Sequence, residues 1–286
     1  MQTYIRVAEE ALVAPQTALD GGYNKLVFSD DFNFANVDEN FTGDYGYKWY
    51  LNCIEKKPAG DKNDYELTDD GILLKAKKMR YNWLLITMDS KTGAGFEGFT
   101  HGYLEFRARF KDDHDEGTTH CFGPAVWSFD TEKVLHGSDH WVEMDWMEYW
   151  HGDHPWDNPY WSITIHETIK GGKAAAWDGV TQNYSNMPNN DIRDPKYNIA
   201  TDDWVTVGYR WEEGLLIAYV DGVECFRQTW GGEDGPVPPA RFGKFETNTD
   251  AFKRLDEQKL QLILGGDYRW PMELDYIRVW QADGTL

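Results

Sequence analysis

A chain of 286 residues with 28 Lys plus Arg against 49 Asp plus Glu carries a formal charge of −21. Such a surface repels polyanions and argues against nucleic acid, anionic membranes and heavily sulfated polymers as partners. No apolar run approaches the ~18 residues of a membrane span, and the three cysteines, Cys53, Cys121 and Cys225, are widely spaced with no C-x-x-C, which argues against a zinc site or redox pair.

Taken in order, the chain opens with a helical-looking piece from Ile5 to Val13, carrying Ile5, Ala8, Leu12 and Val13 and ended by Pro15. Residues 1–24 read as an extension lying on the body, and 25–286 as one domain. All-β sandwiches often run to roughly 200–250 residues as one unit. Leu26 to Phe28 starts the first strand, running into Ser29-Asp30-Asp31-Phe32. A hairpin turn is predicted at Asp69-Asp70-Gly71. His101 to Phe110 alternates: Leu104, Phe106, Ala108 and Phe110 turn to the core, while Glu105, Arg107 and Arg109 turn away. The polar loop 111–120 follows at the rim, and then Pro124-Ala125-Val126-Trp127.

The chemistry concentrates in Asp139-His140-Trp141-Val142-Glu143-Met144-Asp145-Trp146-Met147-Glu148-Tyr149-Trp150. As a strand, it places Trp141, Glu143 and Asp145 on one face and Val142, Met144 and Trp146 on the other. Regular alternation would then send Glu148 into the core, where an unpaired carboxylate is costly. One extra residue, a β-bulge around Trp146-Met147, returns Glu148 to the acid face. Glu143 and Glu148 then lie four strand steps apart, about 13 Å between Cα atoms at ~3.3 Å per step. Two Glu side chains leaning together leave roughly 5 Å between carboxyl groups, close to the ~5–5.5 Å of retaining glycosidases.

Downstream, Ser162 to Thr168 alternates, with Ile163 and Ile165 inward and Thr164, His166 and Thr168 outward. Residues 170–203 form a long polar loop placed on the cleft wall, with Trp177 and Tyr184 as candidate platforms. Trp204–Trp211 and Leu215–Phe226 read as strands, with a hairpin signal at Asp221-Gly222. A short helix is predicted over 249–259, with Phe252, Leu255 and Leu260 on its stripe, and the chain closes on Leu260–Leu264 and Met272–Trp280.

Glu143-Met144-Asp145-Trp146-Met147-Glu148 resembles the E-x-D-x-x-E signature of glycoside hydrolase family 16 in its bulged form. The resemblance extends in order from about residue 26 to 281. It includes Pro-Ala-Val-Trp for Pro-Ala-Phe-Trp, Thr164-Ile165-His166 for Thr-x-His, and a closing Leu-Asp-Tyr-Ile-Arg-Val-Trp. Three departures stand out and are expected to bear on subsites rather than on the acids: Val126 where the family has Phe, Ser128-Phe129-Asp130 where the family strand is apolar, and the bulky Trp146.

The resemblance implies an all-β fold, a concanavalin A-like jelly-roll sandwich of two curved antiparallel sheets with the acids on the concave face. It implies Glu143 as nucleophile, Asp145 as helper and Glu148 as acid/base of an endo-acting, retaining glycoside hydrolase. Trp127, Trp141, Trp150, His166 and Arg107 are the candidate substrate contacts; for Arg107 a charge ladder with Glu105 competes. Fifteen per cent aromatic residues, 14 of them Trp, suit stacking on sugar rings. A structural calcium ion on the convex side is also implied, with Asp275 and the Gly71 carbonyl as ligands.

The first expected substrate is β-1,3-glucan (laminarin) or mixed-linkage β-glucan, with agarose, porphyran or carrageenan as the alternative. A transglycosylase shares the same intermediate, and a lectin-like carbohydrate-binding module on the same sandwich is the rival of a different class. No charged-then-apolar leader opens the chain; the resemblance nonetheless implies a secreted or periplasmic protein, and a monomer is expected.

Overall fold

The computed structural model describes residues 12–51, 61–75, 84–110, 120–152, 160–169, 179–183, 203–230, 240–242, 253–266 and 271–284. Among these, strands form two sheets. The nine-stranded sheet runs, in spatial order, Ala240–Phe242, Gly179–Asn183, Tyr160–Ile169, His140–Gly152, His120–Asp130, Leu260–Leu264, Leu85–Ile86, Trp49–Tyr50 and Val37–Asp38. The eight-stranded sheet runs Val223–Thr229, Leu215–Val220, Val205–Glu212, Gly102–Phe110, Met272–Gln281, Gly71–Leu74 and Tyr65–Thr68, with Lys25–Asp30 pairing on Met272–Gln281. Pairing is antiparallel except for Val37–Asp38 against Trp49–Tyr50, a short parallel pair at the sheet edge.

One apolar layer fills the space between the sheets. Leu104, Phe106, Ala108 and Phe110 face it from one sheet, as their alternation predicts, and Val126, Val142, Met144, Ile163 and Ile165 face it from the other. Burying a side chain of this size is worth about 1.5–3 kcal/mol, so the two-residue period holds each strand in one register. Both predicted hairpins form. Thr68 pairs with Gly71 around Asp69-Asp70, and Val220 pairs with Val223 around Asp221-Gly222, which take φ of 47° and 78°. Two successive positive φ values give the turn the twist that two antiparallel strands need.

The N-terminal piece Ile5–Val13 lies largely outside the described residues. Pro15 is the cap residue before the helix Gln16–Leu19. A proline's missing N–H is no loss where a helix begins. Ala14, Ala18 and Tyr23 pack on Tyr103, Ile217, Tyr219 and Trp280, so this segment covers the outer face of the eight-stranded sheet. The C-terminal helix is Lys253–Glu257, and Leu260 belongs to the following strand instead.

Candidate active site

The acid strand, His140–Gly152, sits between His120–Asp130 and Tyr160–Ile169. Its start is fixed by Asp130. That buried carboxylate caps the helix Thr131–His136 by accepting from Lys133 N (2.8 Å) and also accepts from Val142 N (2.7 Å). Gly137, at φ 63°, lets the helix end in the left-handed conformation and turn back into the strand.

Both flanking ladders step over Trp146. On one side Trp127 pairs with Asp145 and Val126 with Met147; on the other Thr164 pairs with Asp145 and Ser162 with Glu148. The bulge is therefore where the sequence places it. Trp146 and Met147 are both fully buried in the inter-sheet core, and Glu148 leaves the core to become half-buried, like Glu143. Opposite Glu143 and Glu148 stand Phe129 and Ala125. These lie four residues apart on one strand, which sets the two acids about 13 Å apart at Cα.

Asp145 lies between them and is 5 % exposed. Burial pushes its carboxyl up to about 8. A neutral Asp145 relieves the repulsion that three ionised carboxylates on one face would suffer, and it has a proton to donate to a neighbouring acid.

The acid face carries a second apolar cluster of Tyr50, Ile86, Ala125, Trp127, Phe129 and Ile263, with Tyr47 and Trp141 packed against it. Trp127 pairs with Asp145 in the ladder and meets Phe129 edge to face at 4.8 Å. Trp141 is half-buried, with Lys133 Nζ 4.0 Å from its ring centre. That ammonium therefore covers one face of the ring. Of His166 and Trp150 the backbone alone is described: His166 stands opposite Glu143, and Trp150 opposite Phe122 and Tyr160. Trp177 and Tyr184 lie outside the described residues. Cys225 is a free, buried thiol.

One expected substrate contact meets the other sheet instead. Arg107 lies on the strand Gly102–Phe110, on the face away from the core, where its Nη1 donates to Asp275 (2.7 Å) and its guanidinium sits 5.0 Å from the Trp204 ring centre. It is not brought to the acids. Alternation assigned it correctly to an outward face; the face belongs to the wrong sheet.

Gly71 and Asp275, the expected calcium ligands, do adjoin each other: a Cβ on Gly71 would lie 3.0 Å from Asp275 Cα and 2.0 Å from the Leu274 carbonyl oxygen. Only glycine fits there. Yet the Asp275 carboxylate is taken by Arg107, and the Gly71 carbonyl accepts from Thr68 Oγ1 (3.3 Å). A guanidinium thus stands where the expected ion would meet the Asp275 carboxylate. Among the described residues no group of three or more His, Cys, Asp or Glu forms a metal-holding cluster.

Sequence reasoning missed several residues of the acid face. Phe129 was within reach, because the alternation that places Trp127 there places Phe129 there too. Tyr47 and Tyr50 come from a segment with no period, and Lys133 from a helix of six residues.

No family model and no curated protein sequence matches the chain. Solved structures do. One is an endo-β-galactosidase from Clostridium perfringens that releases GlcNAcα1-4Gal, with TM-score 0.50 and 17 % identity over 92 % of this chain; the match spans 63 % of that protein's length. Another belongs to a study of endo-acting O-glycanases with which human gut bacteria initiate mucin breakdown, with TM-score 0.50 and 17 % identity over 91 % of this chain and 100 % of that one. A laminarinase from Flavobacterium sp. UMI-01 aligns with TM-score 0.48 and 16 % identity over 90 % of this chain and 100 % of that one. The fold is thus the β-sandwich jelly roll of endo-acting glycanases.

Proposed function

We propose that the protein is a retaining endo-glycoside hydrolase of the family 16 type. The observation that carries this reading is the bulge: both ladders omit Trp146, and Glu148 thereby joins Glu143 and Asp145 on one face. A binding module has no need of three re-aimed carboxylates.

In the reaction, a Glu143 oxygen attacks the anomeric carbon as Glu148 protonates the departing glycosidic oxygen, giving a glycosyl ester on Glu143. Glu148, now ionised, takes a proton from water. The water oxygen attacks the anomeric carbon from the freed side and Glu143 is released as carboxylate. Asp145, kept protonated by burial, orients Glu143 by donating to it. Trp127, beside Asp145 in the ladder, floors the cleft at the scissile bond.

β-1,3-Glucan or mixed-linkage β-glucan is the first substrate, in keeping with a chain of net charge −21; a β-galactan is the alternative, in keeping with the named activity of the Clostridium enzyme. The protein is proposed to be exported, since its polymeric substrates lie outside cells. No helix of the described residues is long and apolar enough to cross a membrane.

The test is a reducing-end assay on laminarin, mixed-linkage glucan, agarose, porphyran and carrageenan, followed by anomer-resolved NMR of the first product. Retention is expected, with Glu148→Gln losing turnover but not polymer binding. Inversion, or polymer binding without cleavage by the parent, would remove the assignment.

A further inference from the structure

A bulge inside a buried sheet leaves the peptide groups of its extra residue outside the ladder, and a buried carbonyl needs a partner. The extra residue here is Trp146, whose side chain is fully buried. Its carbonyl oxygen accepts from the hydroxyl of Tyr209. Tyr209 is itself fully buried and comes from Val205–Glu212, a strand of the opposite sheet. The bond therefore crosses the core. Burial holds the Tyr209 hydroxyl well above the usual tyrosine range, so it remains a donor at any working pH.

The indole Nε1–H of Trp146 donates to Ser128 Oγ (2.8 Å), a fully buried serine of the neighbouring strand. The indole ring stacks on Phe99 at 6.1 Å and meets Tyr209 at 5.3 Å and Trp211 at 6.4 Å. Two of the departures from the family pattern answer each other: the polar Ser128 supplies the acceptor that the bulky Trp146 requires.

The alternative to this arrangement is a regular strand. If Trp146 slid back into the ladder, each later side chain would change face, Met147 turning outward and Glu148 into the core. In that register the Tyr209 hydroxyl and the Trp146 carbonyl would part, so their bond favours the bulged register alone.

We infer that Tyr209 and Ser128 are positioning residues for Glu148, acting through the bulge at Trp146. This rests on the hydrolase reading above and adds to it a control reaching across the core from the sheet opposite the acid strand.

The test uses Tyr209→Phe, which keeps the ring and removes the donor, and Ser128→Ala. Tyr103→Phe is the control: its hydroxyl also serves a buried network, with Thr17 and Glu105, on the outer face of the eight-stranded sheet. Tyr209→Phe is expected to lower kcat by about tenfold or more, as a displaced catalytic group does, with KM held within about twofold. The alkaline limb of its pH–kcat profile, which reports the acid in the complex, should move. Ser128→Ala should do the same more weakly, and Tyr103→Phe should lose stability without either change.

A second arm needs no turnover: NMR titration of the 13C-labelled Glu148 carboxyl in parent and variants, with a shift expected in Tyr209→Phe. If the parent cleaves nothing, the hydrolase reading fails while this titration still decides the clamp. An unmoved Glu148 titration and unchanged kcat in folded Tyr209→Phe, or equal losses of kcat in Tyr103→Phe, would overturn the inference. Should Tyr209→Phe not fold, Ser128→Ala carries the same two readouts.

Discussion

Two faces of this molecule carry rows of carboxylates, and they treat them in opposite ways. On the outer face of the eight-stranded sheet three acids stand opposite or beside a cation. Glu273 pairs in register with Arg109 and accepts from its Nε at 2.7 Å; Glu105 pairs in register with Arg278; Asp275 takes Arg107. On the acid face the cross-strand partners of Glu143, Asp145 and Glu148 are Phe129, Trp127 and Ala125 on one side, and His166, Thr164 and Ser162 on the other. No Lys or Arg stands opposite any of the three. One face neutralises its charge by pairing, and the other by protonating Asp145 among aromatic rings. The first arrangement stabilises a fold; the second leaves carboxyl groups available to move protons.

The contrast breaks first at the nucleophile. Glu143→Ala is expected to lower kcat by about 10⁴-fold or more while leaving melting nearly unchanged. Azide should then restore cleavage with inverted stereochemistry. Failure of rescue by small nucleophiles would take the nucleophile role from Glu143.

On the paired face the same kind of truncation should do the reverse. Glu273 is fully buried, so Arg109→Ala leaves its carboxylate without its main partner. A loss of about 3 kcal/mol in denaturant unfolding is expected, with kcat/KM preserved once the variant is folded. An Arg109→Ala protein as stable as the parent would mean that the ion pair contributes nothing net.

Asp145 sharpens the comparison through pH. Its folded value of about 8 lies above the ~3.9 of an unfolded chain, so the native state binds the extra proton throughout that window. Stability from this group is present below pH ~4 and is lost as pH rises towards 8. Asp145→Asn cannot ionise, and its melting temperature should fall less than the parent's between pH 5 and pH 8. Parallel melting curves would show that Asp145 is ionised in the fold.

The smallest effect belongs to Arg107. The Arg107–Asp275 pair is about a third exposed on both sides, and such pairs contribute at most about 1 kcal/mol. Arg107→Ala should leave KM for every polymer unchanged. A raised KM would return Arg107 to the substrate contacts.

What could be read beforehand follows from where the physics is local. The bulge was legible because regular alternation would have buried Glu148, and one face of one strand was enough to reject that. The hairpins at Asp69-Asp70 and Asp221-Gly222 were legible because backbone preference is a property of the residues themselves. Arg107 was misassigned because alternation separates inward from outward without saying which of two sheets an outward face belongs to. The Tyr209 contact was illegible for another reason. Sixty-three residues separate the hydroxyl from the carbonyl it serves, and an aromatic at an inward position gives no sign that its polar end is used.

The skipped residue also divides the acid strand into two halves with opposite parity. Before Trp146 the even-numbered positions, Val142 and Met144, face the interior; after it Met147, an odd one, does. Any attempt to redesign this strand, or to graft it onto another sandwich, must therefore carry the change of phase along with the acids. A transplanted hexapeptide laid into an unbroken strand would bring all three carboxylates and aim one of them the wrong way.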